Sequence, residues 1–404
     1  MKYIEGNVCA PKGFKAAGMY CGIRKNPDKK DLALIACEVE CSAAAVYTQN
    51  KVCGAPIAVT RANLANGKAQ AVVCNSGNAN TCNADGPEKA QKTCAFTAAA
   101  LGLAPEDIIV ASTGVIGQPL DTDPMEKAMP ALAAALSAES GMAAAEAIMT
   151  TDTIPKAVAV EFELGGKTCR IGAICKGSGM IHPNLATMLC FVTSDVAIAP
   201  AMLQKALSAA VADSFNMITV DGDTSTNDMV SVMASGLAGN AEIREENADY
   251  NLFAAALKTV CTDLAKLMAG DGEGATKLLA CSVVGAADEL TAKTIAKSVV
   301  GSSLFKAAMF GADANWGRVL CAAGYSGADF DPTLVDVSFS SAKGSIEVCK
   351  NGGSVDFSEE IAKEILLEKE ITTHIDLHSG TACATAWGCD LTYDYVRING
   401  DYRS

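Results

Sequence analysis

Between Lys176 and Leu189 the chain reads Lys176-Gly177-Ser178-Gly179-Met180-Ile181-His182-Pro183-Asn184-Leu185-Ala186-Thr187-Met188-Leu189. A cation and two glycines stand before a threonine that leads into apolar residues. Glycine allows strained backbone angles, while Pro183 fixes its own φ and pushes His182 towards extended geometry. Such a loop can hold a peptide bond out of its relaxed shape. The same residues also suit a plain connection between two strands with a buried threonine, and the spacing alone does not separate the two readings.

The charge balance gives Lys176 further meaning. The chain has 404 residues, 50% of them hydrophobic and 19% charged, with a formal net charge of −14. That composition fits a folded globular protein with a sizeable core. Lys and Arg do not cluster, which argues against a nucleic-acid partner. A small acidic substrate would be bound against the overall field, so its pocket needs a local cation. The first residues, Met1 to Phe14, lack a signal-peptide core, and the longest apolar stretch, around Ala131 to Leu136, is far short of a membrane span. A cytoplasmic protein with no membrane role is expected. The seventeen cysteines contain no C-x-x-C pair and are expected to be reduced and mostly buried, acting as small hydrophobes.

Several further segments stand out beside the Lys176 to Leu189 block. They are Cys74 to Asn80 (CNSGNAN), Ala111 to Gly117 (ASTGVIG), Met149 to Thr153 (MTTDT), Thr219 to Asp228 (TVDGDTSTND), Gly270 to Thr276 (GDGEGAT), Gly311 to Arg318 (GADANWGR) and Tyr395 to Ser404 (YVRINGDYRS). In this order they resemble the ornithine acetyltransferase (glutamate N-acetyltransferase) family, the ArgJ type of arginine biosynthesis, along nearly the whole chain. His182 and Leu185 sit at variable loop positions, and Gly400 and Ser404 stand where Ala and Thr are common.

The resemblance implies self-cleavage between Ala186 and Thr187, giving an N-terminal fragment 1–186 and a C-terminal fragment 187–404 that stay assembled. Thr187 then becomes the acetyl-accepting nucleophile, its new α-amine serving as base. Thr113, through its hydroxyl, and Gly114, through its N–H, are implied as oxyanion donors. Lys176 is implied to hold a substrate carboxylate, and Glu273 to meet the substrate's amino end. Thr150, Asn399 and Ser404, with Thr187 itself, complete the substrate contacts. No metal and no cofactor is implied. The implied reaction moves acetyl from N-acetylornithine to glutamate in a ping-pong cycle; the family also includes forms that take acetyl from acetyl-CoA. A heterotetramer of two of each fragment is implied. Rival readings are a self-processing aminopeptidase or amidase of similar fold, and a non-catalytic metal or redox protein built on the cysteines.

The elements that must position these residues read as α+β. Strands are expected at 31–46, 69–74, 157–163, 168–175, 188–193, 334–339 and 345–349, with a Gly165-Gly166 turn making a hairpin that feeds the Lys176 segment. Helices are expected at 200–215, 249–269, 291–300 and 358–367, and an Ala-rich helical stretch at 124–149 is expected to be divided at Pro130 and Gly141. No regular βαβ rhythm is evident. The resemblance adds a layered α/β sandwich, similar to but distinct from the N-terminal-nucleophile hydrolases, with a smaller C-terminal lobe. His182, His374 and His378 are expected to be bystanders, and Asp221, Asp223 and Asp228 to support the structure around the site.

Overall fold

The computed structural model describes residues 1–182 and 188–400. Ala186, Thr187 and Ser404 therefore lie outside the described residues. Two sheets organise the rest. The larger has nine strands among the described residues, in the order Lys2–Ile4, Lys156–Leu164, Lys167–Lys176, Leu189–Ser194, Met229–Ala234, Leu32–Tyr47, Lys68–Asn78 and Ile108–Val115, with Phe14–Met19 added against Leu32–Tyr47. The smaller has six, in the order Gly353–Ser354, Gly344–Lys350, Asp336–Ser341, Glu370–Asp376, Leu278–Ala286 and Ala382–Cys389.

Alternation of side chains along the central strands explains why the large sheet is covered on both faces. Ile171, Ala173, Cys175, Cys190, Val192, Val230 and Val232 point into a core closed by the helices Pro200–Ala212 and Ala248–Gly270, through Leu203, Leu207, Phe253, Leu257 and Leu264. Ile174, Leu189, Phe191, Met229 and Met233 point the other way, against the helix Gly141–Ile148. A fully buried side chain such as Phe191 or Phe253 contributes roughly 1.5–3 kcal/mol. The second sheet forms its own core with helices Glu289–Gly301, Ser303–Phe310, Trp316–Gly324 and Glu359–Leu366. The α+β reading holds, and the second sheet is the smaller C-terminal lobe.

The large sheet interleaves residues from both sides of position 186. Ile171–Lys176 pairs antiparallel with Leu189–Ser194, which pairs parallel with Met229–Ala234, which in turn pairs with Ser42–Tyr47. Strands of the C-terminal part thus lie between strands of the N-terminal part, so the two halves share one sheet.

One expectation needs correction. Pro130 does not divide its helix, which runs unbroken from Asp123 to Ala134. Both Pro130 and Glu126 are exposed, so water can satisfy the Glu126 carbonyl that loses its partner. Gly141 does open a new helix, as expected. No regular βαβ rhythm runs through the chain, but two such units occur. Lys68–Asn78 crosses through helix Gly86–Leu101 to the parallel strand Ile108–Val115, and Leu189–Ser194 crosses through Pro200–Ala212 to Met229–Ala234. The cysteines are free and most are buried, with Cys53, Cys82, Cys321 and Cys383 exposed.

Candidate active site

Thr113 and Gly114 do not form the ordinary turn that their types also allow; they end the strand Ile108–Val115, in register with Ser76 and Gly77 of Lys68–Asn78. Gly114 has φ +129°, and a Cβ there would lie 2.3 Å from the Gly77 carbonyl carbon and 2.6 Å from the Asn78 nitrogen. Only glycine permits that approach. The buried Asn227 amide braces the strand end, donating to the carbonyls of Ala79 (2.6 Å) and Ser112 (3.0 Å) and accepting from the hydroxyls of Thr81 and Thr226 (both 2.6 Å).

Lys176 is the last residue of its strand, only 8% exposed, and its ammonium donates to the Thr113 hydroxyl at 3.4 Å. Immediately after it the chain is held by carboxylates. Asp152 accepts from the Gly177 N–H (2.7 Å) and the Thr150 N–H (3.0 Å), and takes the Lys156 ammonium at 2.7 Å. Burial pushes the Asp152 carboxyl up, but the Lys176 and Lys156 ammoniums outweigh it and hold the group at about 2. Asp221 accepts from the N–H groups of Met180 (2.6 Å) and Ile181 (2.9 Å), with Met180 at φ +56°. The segment between Lys176 and His182 is thus pinned at both ends.

The facing wall comes from the loop after helix Ala248–Gly270. The Glu273 N–H donates to the Ser178 carbonyl at 2.9 Å, and a Cβ on Gly179 would lie 2.4 Å from the Glu273 carboxyl carbon. The C-terminal helix Tyr393–Gly400 packs against Gly274, and the Asn399 amide donates to Glu273 Oε2 at 2.6 Å. Thr113, Gly114, Thr150, Lys176, Glu273 and Asn399 all line one cleft of about 120 Å³. A cation stands on one wall and a carboxylate on the other, the charge pattern an amino acid presents in reverse.

All six of the expected site residues that lie within the described chain meet at this cleft, although in sequence they run from 113 to 399. Ala186, Thr187 and Ser404 lie outside the described residues. A smaller cavity of about 20 Å³ adjoins it, lined by Thr113, Lys176, Met188 and Asp228 among others. Asp228 is 2% exposed, its Oδ2 has no partner among the described residues, and burial holds its carboxyl well above the usual range against the pull of Ser225 and Lys176. His182 bonds through Nδ1 to the Thr219 hydroxyl at 3.0 Å, and burial, helped by Lys297, holds the ring down at about 4. His374 and His378 lie in the second sheet and the turn after it.

Asp152, Asp271 and Asn227 lie in segments that carry the resemblance, which assigns them no role. Their one local signal was a polar type inside a segment that must be buried, whereas their partners lie up to 148 residues away.

The sequence pattern of the ArgJ family matches residues 15–404. The arginine biosynthesis bifunctional protein ArgJ of Symbiobacterium thermophilum is 55% identical over 100% of both chains, and that of Caldanaerobacter subterraneus subsp. tengcongensis is 49% identical, again over 100% of both. The crystal structure of arginine biosynthesis bifunctional protein argJ from Bacillus halodurans superposes with a TM-score of 0.50 at 50% identity, covering 98% of that chain and 52% of this one. The match from end to end at such identity means that the chain belongs to the ArgJ family.

Proposed function

We propose that the protein cuts itself between Ala186 and Thr187 and then transfers acetyl from N-acetylornithine to glutamate through an acetyl-Thr187 ester, in arginine biosynthesis. The observation that carries this reading is the gathering of Thr113, Gly114, Thr150, Lys176, Glu273 and Asn399 around one cleft, which Gly179 and Met180 also line. Family membership sets the reaction class.

In the first half-reaction Thr187 Oγ attacks the acetyl carbonyl while its proton passes to the Thr187 α-amine. The Thr113 hydroxyl and the Gly114 N–H face the developing oxyanion, a contribution typically worth about 2.7–4 kcal/mol per donor. The proton then goes to the leaving amine, ornithine departs, and glutamate reverses the steps to leave as N-acetylglutamate. Lys176 holds the α-carboxylate common to both substrates, and Glu273 meets the amino end, oriented by Asn399. Thr150 and Ser404 supply further polar contacts. No step requires a cofactor.

The name "bifunctional" carried by the relatives supports acetyl-CoA as a second donor. That nearly all of the Bacillus halodurans chain matches only about half of this one supports separate polypeptides for 1–186 and 187–404, and the shared sheet explains how they would stay together. We infer a cytoplasmic heterotetramer of two of each; no described helix is long and apolar enough to cross a membrane. Incubation with N-acetylornithine and glutamate should yield N-acetylglutamate and ornithine. Release of acetate faster than N-acetylglutamate would instead assign a hydrolase, and acetyl-CoA as sole donor tests the second function.

A further inference from the structure

Behind the cleft lies an ion cluster to which the reaction above gives no part. The Lys156 ammonium donates to Asp152 Oδ1 at 2.7 Å and to Asp271 Oδ2 at 2.6 Å, and the three side chains are 0%, 0% and 7% exposed. Each carboxylate also grips the backbone of a segment that lines or borders the cleft. Asp152 accepts from the Thr150 and Gly177 N–H groups. Asp271 accepts from the Thr153 N–H at 3.0 Å and from its hydroxyl, while the Asp271 carbonyl takes the Ser178 hydroxyl at 2.7 Å. Lys176 precedes Gly177 and Glu273 follows two residues after Asp271, so the cluster ties the cation of the cleft to its carboxylate.

Such a cluster is not needed for stability as such, because buried ions cost much of what they gain and apolar replacements of similar volume are often neutral or better. Nor is it needed to keep residues 1–186 and 187–404 together. Strand pairing of Ile171–Lys176 with Leu189–Ser194 and of Ser42–Tyr47 with Met229–Ala234 already does so. What the cluster does, and the sheet does not, is fix the loops of Thr150, Lys176 and Glu273 relative to one another. Lys156 and Asp152 come from the N-terminal side of the proposed cut and Asp271 from the C-terminal side.

We propose that Asp152, Lys156 and Asp271 are positioning residues that set the spacing of Lys176 and Glu273 across the two halves of the site, and so determine how tightly the cleft holds an amino acid. This rests on the function proposed above. The full chain carrying Asp271→Leu is expected to mature and co-elute as the wild type does, yet to bind ornithine about tenfold or more weakly by calorimetry, with KM for both N-acetylornithine and glutamate raised and kcat changed less. Asp271→Asn keeps an acceptor for Lys156 and the Thr153 N–H and an amide facing the Thr153 hydroxyl, and should restore most of the affinity. Should the leucine variant not fold, Ser178→Ala removes a single bond to the Asp271 carbonyl and should still weaken ornithine binding several-fold. Wild-type ornithine affinity and KM in folded Asp271→Leu, or in Ser178→Ala if the former does not fold, would overturn the proposal. A wild-type protein that binds ornithine but transfers no acetyl would refute the function and leave the positioning role standing on the binding data.

Discussion

The Lys176 ammonium lies 3.4 Å from the Thr113 hydroxyl, which links the group proposed to hold a substrate carboxylate with the group proposed to meet the oxyanion. The two act at different stages and are separable by kinetics. Lys176→Ala should raise KM for N-acetylornithine and glutamate alike, by about tenfold to a hundredfold, the equivalent of about 1.5–3 kcal/mol for a charged hydrogen bond. An effect on one substrate alone would show that Lys176 reads the side-chain end.

Thr113→Val keeps the shape and removes the donor. It should lower kcat by about 10²–10³ with little change in KM. Gly114→Ala is a poorer probe, because its Cβ would strike the Gly77 backbone and displace the strand end. A normal kcat in Thr113→Val would remove the hydroxyl from the oxyanion site.

The resemblance carried most of the site, and the physics of the residues carried most of the fold. Strands and long helices were legible because burial of one face leaves a periodic trace, as at Lys167–Lys176 or Ala248–Gly270. The braces of the site left none. Lys156 and Asp271 are 115 residues apart, and nothing periodic connects them. Pro130 shows the reverse error: a residue with a strong local preference was overruled because its face of the helix meets only water.

The buried Asp152 and the half-buried His182 both contribute to the response to acid. The carboxyl of Asp152 is held at about 2 despite its burial, by Lys176 and Lys156, so its contribution is present above the ordinary carboxylate range and is lost as pH falls from about 4 towards 2. That contribution is about 2 kcal/mol at neutral pH. His182, held at about 4 by burial and Lys297, favours the neutral ring, so stability is also lost as pH falls from about 6.5 towards 4. His182→Asn should flatten the melting temperature across that upper window and leave the pH dependence of kcat/KM unchanged. Loss of an acid limb in the rate profile would make His182 a participant.

Asn399 orients Glu273 at 2.6 Å from a helix that ends at Gly400, close to the C-terminus. A tag added after Ser404 should therefore raise KM, whereas one before Met1 should not, with equal yields of folded protein. Unchanged kinetics with a C-terminal tag would take Asn399 and Ser404 out of the substrate site.

The central claim is that one oxygen, Thr187 Oγ, both cuts the chain and carries the acetyl group. Thr187→Ala should give a single intact polypeptide without transferase activity, and Thr187→Ser slower cutting, since it keeps the nucleophile but lacks the methyl that restricts χ1. N-terminal sequencing of the denatured wild-type protein tests the claim most directly. Two sequences are expected, one from the start of the chain and one beginning Thr187-Met188-Leu189; an uncut chain that still transfers acetyl would contradict the account.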